Sequence, residues 1–333
     1  LGCTAFGTLN GSALVTGSVF AKIAAPEMKR YGYDQNLTYG LIAASGNIGQ
    51  FIPPSIMIVI FGALSGDSIG RLLMAAISPG LALAIGFSLF TVGTAIVRPK
   101  LFPRVTQNYT WKEKFISLKD LIPIAIVAVV IIGGILGGIF TATEAAAVAV
   151  AYSLVLALFV YREVKFRDLP EILRQTGVTT AVVMFLIAVS SAMSWIMTIS
   201  NIPQTISSGL VAITENRIVL LLIINLLLLF VGTFMDMTPA VLIFTPIFLP
   251  VVRNLGMSDI QFGIMMIANL CIGLCTPPVG SCLFLGCGIG KTSITAVTRP
   301  MLPFFGAMLF ALLLITFIPA LSMWLPDIAG LLK

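Results

Sequence analysis

The sequence predicts an all-α polytopic membrane protein, with an inverted-topology repeat of two re-entrant hairpins and two broken helices. Three observations predict it. The 333-residue chain is 58% hydrophobic and only 10% charged, with a mean hydropathy of +1.08. Runs such as LIPIAIVAVVIIGGILGGIF (121–140) and TAVVMFLIAVSSAMSWIMTI (180–199) reach the roughly 20 residues that a helix needs to span a bilayer. A Pro-Pro pair then interrupts two apolar stretches in matching surroundings, AASGNIGQFIPPSIMIV (43–59) and LCIGLCTPPVGSCLF (270–284). Ten-residue alternating strand patterns, the mark of a membrane barrel, are not seen.

In chain order, residues 5–26 read as a hairpin that enters and returns on one side, because the polar tip LNGSALVTGS (9–18) parts two short apolar arms. Residues 37–63 read as a span broken at the first Pro pair. Residues 71–97, 120–140, 144–161 and 176–199 read as through-going spans. The stretch 217–252 is a second hairpin around GTFMDMTPA (232–240), 259–288 a second broken span, and 294–324 a final span. This order divides the chain into a first transport part (1–70), scaffold helices (71–200), a second transport part (201–291) and a C-terminal helix (292–333). The chain opens on Leu1 in the middle of a pattern, so N-terminal helices are expected to be missing.

That threading places 15 of the 19 Lys and Arg residues on one face and leaves Arg71, Arg217, Arg253 and Lys333 on the other. An excess of basic residues in short loops marks the cytoplasmic side. Because the charges sit between spans, the net charge of +6 does not indicate nucleic-acid binding. The loop RPKLFPRVTQNYTWKEKFISLKD (98–120) separates the halves, and Trp111 and Phe115 among its lysines fit a segment lying on the inner membrane surface. A solvated linker fits it equally. The five cysteines lie in apolar runs and the chain has no histidine, so they read as small core residues, not as metal ligands.

A shift of 224 residues superposes the halves without gaps. Pro26 falls on Pro250, Gly32 on Gly256, Gly49 on Gly273, Pro53–Pro54 on Pro277–Pro278, and Ser12 on Asp236. Proline removes a backbone donor and collides with the preceding turn, while glycine lets the chain bend. The carbonyls so released cost several kcal/mol each if left unpaired in hydrocarbon. Such a break persists where the freed oxygens line a polar cavity or hold a cation, and carbonyl oxygens suit a hard monovalent ion such as Na+. Two breaks, each facing a hairpin tip, predict two sodium sites with a substrate between them.

The first sodium site would draw on Gly11, Ser12, Ser45, Gly46, Asn47 and Gly49, the second on Asp236, Thr238, Gly273, Thr276 and Gly280. Candidate substrate-binding residues are Asn10, Ser12, Ala13, Thr16, Pro53, Pro54 and Ser55 in the first half, with Pro277, Pro278 and Ser281 in the second. Helix N-termini after the Pro pairs would turn positive dipole ends inward, which suits an anion. A plainer alternative has the Pro pairs only kink the helices and the hydroxyls bond one turn back; it does not predict the duplication. Asp236 reads as an ion ligand or hairpin cap, or as a residue of a wet vestibule, since a bare carboxylate at mid-membrane is costly. TATE (141–144) reads as a capping box with Thr141 at the N-cap and Glu144 three residues on.

Four stretches together, FGTLNGSALVTGSVFAKIAAPEMKRYGYD, AASGNIGQFIPPSIMIVIFG, GGIFTATEAAAVAVAYSL and NLCIGLCTPPVGSCLF, resemble the large membrane subunit of tripartite ATP-independent periplasmic (TRAP) transporters. The family often has Ser-Gly-Ser-Ser at the first tip and Gly-Thr-Leu-Gly at the first break. This chain has Asn10-Gly11-Ser12-Ala13 and Gly46-Asn47-Ile48-Gly49, and Cys282 stands where the family has Asn. The resemblance implies a sodium-driven importer of organic acid anions in the bacterial inner membrane, not an enzyme. It implies two partners, a small four-helix membrane subunit and a periplasmic substrate-binding protein, within a phospholipid bilayer. It also implies an elevator in which about 1–66 and 217–291 move against a scaffold. GIGKTS (288–293) lacks the spacing and the preceding strand of a phosphate loop, so no ATPase is read from it. The runner-up is a divalent anion/sodium symporter that needs no binding protein. A passive channel would lack substrate-specific exchange, and an intramembrane enzyme would need a catalytic cluster that the sequence does not display.

Overall fold

Helices begin and end where the local chemistry dictates. A computed structural model describes residues 2–99, 101–103, 110–202, 205, 206, 209 and 216–330. In the first half, α1 (Gly2–Asn10) turns through Gly11 into α2 (Ala13–Arg30), whose N-cap Ser12 accepts a hydrogen bond from Val15 N at 3.4 Å. Gly11 has φ +65°, which a residue without Cβ adopts freely. Lys29 and Arg30 close α2 at its negative dipole end. Asp34 caps α3 (Gln35–Phe51) through Leu37 N at 2.8 Å, and the Pro pair stops it; α4 (Ile56–Ser65) follows and ends at left-handed Gly66.

After α5 (Ile69–Val97) come α6 (Trp111–Leu136), α7 (Ala142–Val155) with a π-helical turn beyond it, and α8 (Leu169–Ile199). The second half repeats the first: α9 (Arg217–Phe234), α10 (Met237–Asn254), α11 (Asp259–Gly273) and α12 (Ser281–Gly290), then α13 (Ile294–Phe317) and α14 (Pro319–Ile328). Among the described residues there is no strand.

The 224-residue shift holds in three dimensions. N-caps Ser12 and Asp236 correspond, as do N-caps Asp34 and Ser258. Gly32 and Gly256 are both left-handed, at φ +84° and +72°. Both Pro–Pro bonds are cis. The half-helices α4 and α12 are ten residues each. Pro79 inside α5 falls on Pro303 inside α13, which carries the register beyond the sequence match first drawn.

Residues Leu1–Val105 with Met193–Lys333 form one compact unit and Thr106–Ala192 another. In the first unit, α1 and α2 pack on α3, and α9 and α10 on α11. The second arm of each hairpin also packs on the half-helix of the other repeat, α2 on α12 and α10 on α4. Phe51, Phe61 and Phe262 fill the core, the last two with rings 6.2 Å apart. Helix α5, assigned to the scaffold from sequence, packs on α3, α4, α11 and α13. In the second unit α6 packs on α7, where Tyr152 OH donates to Pro123 O at 3.1 Å. The predicted capping box forms: Thr141 N donates to Glu144 Oε2 at 2.8 Å and Glu144 N to Thr141 Oγ1 at 3.3 Å.

Six described helices are long and apolar enough to cross a membrane: Ile69–Val97, Ala142–Val160, Phe166–Met197, Arg217–Phe234, Met237–Asn254 and Ile294–Phe317. Three differences from the sequence expectation stand out. The final span stops at Phe317 because Pro319 cannot continue it, and α14 starts there. The loop 98–120 is helical from Trp111, which is 84% exposed, while residues 104–109 and the Phe115 side chain lie outside the described residues. The arms of the second hairpin have 18 residues each, about 27 Å of helix, so length alone does not make it re-entrant.

Candidate functional site: two interrupted helices and their hairpin turns

Each Pro-Pro break meets the turn of its own hairpin. In the first repeat, a methyl group on Gly11 would stand 3.3 Å from Ile56 and 3.7 Å from the Pro54 carbonyl oxygen. The start of α2 lies on Gly46, where a Cβ would be 3.3 Å from the Thr16 methyl and 3.6 Å from Ala13 O. Gly49 abuts Gly7 so closely that a Cβ would stand 2.8 Å from its Cα. The arm is held by Thr4 Oγ1, which donates to Ser45 O at 3.1 Å. Gly11, Ser12, Ala13, Thr16, Ser45, Gly46, Gly49, Pro53, Pro54 and Ser55 thus gather around one break. The Asn10 side chain lies outside the described residues.

In the second repeat, Gly232 and Gly273 meet as Gly7 and Gly49 do. Gly280 N donates to Thr233 O at 3.0 Å, fastening the restart of the helix to the hairpin turn. Gly280 is left-handed at φ +48°, and a Cβ there would stand 2.8 Å from Thr276 O and 3.0 Å from Leu274 O. Backbone carbonyls therefore converge at this break. Thr276 and Ser281 flank it, half-buried, and Pro278 is exposed next to Pro277.

The hydroxyl protons are partly committed. Ser45 Oγ donates to Leu41 O at 2.6 Å and Thr276 Oγ1 to Ile272 O at 2.7 Å, both one turn back. Their oxygens keep lone pairs that a cation can use, because a hydroxyl has two acceptor sites. Thr238 Oγ1 faces Met57 Sδ of the other repeat at 3.9 Å. Asp236 occupies the N-cap position of α10 but makes no side-chain cap bond, and it is exposed; its counterpart Ser12 does cap. Ser55 Oγ is buried without a hydrogen-bond partner, at the N-terminus of α4.

Asn47 was placed with the first hairpin from sequence, but its buried amide reaches the second repeat. Its Nδ2 donates to Cys271 O at 3.1 Å, and the Cys282 thiol donates to its Oδ1 at 3.1 Å. The sequence reading also passed over a buried polar cluster in which Asn269 Nδ2 donates to Asn225 Oδ1 at 2.7 Å and Thr316 Oγ1 to the same oxygen at 3.2 Å. One signal was available: the 224-residue shift places Asn269 on Ser45 and Cys271 on Asn47. All five cysteines are buried and free of disulfides.

Where α4 hands over to α5, Arg71 pairs with Asp67 at 3.4 Å, and nearby Arg253 binds Asp259 with Nε–Oδ1 2.8 Å. Burial pushes the Asp67 carboxyl above its ordinary pKa, and Asp259 adds to that while Arg71 and Arg253 oppose it.

Residues 1–321 match the family model described as "Tripartite ATP-independent periplasmic transporter, DctM component". The chain belongs to this transporter family. It is 37% identical over 331 residues to the C4-dicarboxylate TRAP transporter large permease of Pseudomonas aeruginosa, covering 99% of this chain and 77% of the relative. It is 38% identical over 314 residues to the 2,3-diketo-L-gulonate TRAP transporter large permease of Escherichia coli, covering 94% and 73%. It is 35% identical over 324 residues to the sialic acid TRAP transporter large permease of Vibrio cholerae, covering 97% and 75%. The chain is therefore a TRAP large permease, a multi-pass protein of the bacterial inner membrane and a transporter component, not an enzyme. TRAP large permeases work with a small membrane subunit and a periplasmic binding protein.

Proposed function

We propose that this TRAP permease imports an organic acid anion together with sodium, bound between the two Pro-Pro breaks and carried by an elevator movement. The observation that carries this is the duplicated break itself. Twice, a helix stops at a Pro pair, restarts as a ten-residue half-helix, and rests on the turn of a neighbouring hairpin. The carbonyls of Leu274 and Thr276, the hydroxyls of Ser45 and Thr276, and the Asp236 carboxylate supply oxygens of the kind sodium takes. The N-termini of α4 and α12, with the buried Ser55 hydroxyl, supply donors for a carboxylate.

Relatives named for C4-dicarboxylate, diketogulonate and sialic acid all carry organic acids in their names, which sets the substrate class. The binding protein selects among these acids, and the permease supplies the coupling. A tenfold sodium gradient supplies about 1.4 kcal/mol per ion, and 100 mV adds about 2.3 kcal/mol per net charge moved. Two sodium ions entering with one monovalent anion release about 5 kcal/mol, enough to concentrate the anion by between three and four orders of magnitude, roughly.

The test is uptake into vesicles holding the permease, its small subunit and the binding protein loaded with its acid. Uptake should rise with external sodium and vanish without it. Uptake that ignores sodium overturns the coupling, and equal uptake without the binding protein favours the stand-alone symporter.

A further inference from the structure

Asn47 touches its own repeat counterpart. Its Nδ2 donates to Cys271 O, and the two residues are separated by 224, the shift that relates the halves. A residue that meets its own copy lies on the axis relating the copies. Nδ2 also adjoins Cys275 Sγ, and the Cys275 thiol turns back to Ala43 O at 3.6 Å. On the opposite edge of the same amide, Oδ1 accepts the Cys282 thiol. Cys271 and Cys275 precede the second Pro pair and Cys282 follows it. One planar amide therefore grips the chain on both sides of the second break, while its own backbone lies in α3, just over one turn before the first.

The arrangement is dry and one-sided. Asn47 is 2% exposed, and Cys275 and Cys282 are 1% each. No amide answers from the other half, since the counterpart of Asn47 is Cys271 and that of Cys282 is Ile58. A hydroxyl in place of the amide has no such pair of opposite edges, because its donor and acceptors share one atom.

We propose that Asn47 is a positioning residue that couples the two sodium sites across the repeat axis. Resting on the sodium-coupled reading above, it makes ion capture at one break shift the backbone of the other. Sodium held against residues 46–49 at the end of α3 sets the direction of the Asn47 amide, and the amide sets the separation of Cys271 from Cys282. Occupancy of the first site thus favours the closed form of the second, and reciprocally.

The experiment uses the whole complex in vesicles and reads initial uptake against external sodium. The parent should respond sigmoidally, with a Hill coefficient of about 2. In Asn47→Leu the coefficient should fall to about 1 and half-saturating sodium should rise about fivefold or more. Cys282→Val, which removes one partner and keeps an apolar side chain of similar size, should move both quantities in the same direction by less. The double variant should be no worse than Asn47→Leu alone, because both changes cut the same link. If Asn47→Leu does not assemble, Cys282→Val carries the test on its own. A merely structural role would lower the amount of folded complex without changing the coefficient, so an unchanged sigmoid in the variants overturns the proposal. Sodium-independent uptake by the parent overturns the coupling reading, and this link with it.

Discussion

The two Pro-Pro breaks share a register but differ in how the backbone is closed. The first interruption covers only residues 52–55, and its hairpin turn is capped by a neutral Ser12 that bonds Val15 N. The second covers 274–280, is pinned by Gly280 N to Thr233 O, and leaves the carbonyls of Leu274 and Thr276 crowded around a left-handed glycine. Its hairpin turn carries Asp236, whose carboxylate is not spent on capping. The second break therefore offers more negative oxygen, and the first a tighter, neutral frame. Duplication supplies the shared geometry; the residues that differ between the halves, Ser12 and Asp236 among them, make the two breaks chemically unlike.

Glycine substitutions break the comparison most severely. Gly49→Ala drives a Cβ into Gly7 and Thr4 O, and Gly273→Ala drives one into Gly232, backbone against backbone in both cases. Each should cost about 3 kcal/mol, the upper range for overpacking, and the two should lose thermal stability and uptake to a similar degree. A large difference between them would show that the paired contacts are not equivalent.

Gly280→Ala comes next. Its counterpart position is Ile56, which is half exposed and whose φ is not left-handed. Gly280→Ala should cost about 1–2 kcal/mol from left-handed strain alone, while Ile56→Ala should cost well under that; melting curves of the purified complex decide it.

Substitutions at the two capping residues test the proposed ion roles. Asp236→Asn should raise half-saturating sodium about tenfold, equal to about 1.4 kcal/mol of lost ion binding. Ser12→Ala should cost about 1 kcal/mol of stability through the lost cap and move the sodium response less. Equal sodium shifts would erase the proposed asymmetry.

The smallest effect is at Asp67, whose counterpart is Lys291. Burial raises the Asp67 carboxyl above its ordinary value, so the folded state holds that proton more tightly than the unfolded chain. Its contribution to stability is therefore full below the ordinary value and is lost as pH rises through the raised one. Melting temperatures of the parent relative to Asp67→Asn should fall slightly across that window; a parallel pair of curves would contradict it.

Much of this was legible in the sequence because it rests on residues that dictate local backbone. The Pro pairs, the glycines at 32 and 256, and the Thr141–Glu144 box act through steric exclusion and short-range bonds, so their spacing carries their meaning. The stop at Phe317 was missed because the apolar run passes through Pro319 without a change in hydropathy. The reach of Asn47 to Cys271 and Cys282 was hidden for another reason. It joins residues more than 200 positions apart, and no local preference encodes it. The Thr233 carbonyl was invisible because every residue has one.

The packing of each hairpin arm on the half-helix of the other repeat ties the two halves together. With α2 seated on α12 and α10 on α4, each repeat completes the packing of the other's short helix. Neither restart helix can therefore shift without disturbing the hairpin arm of the opposite repeat.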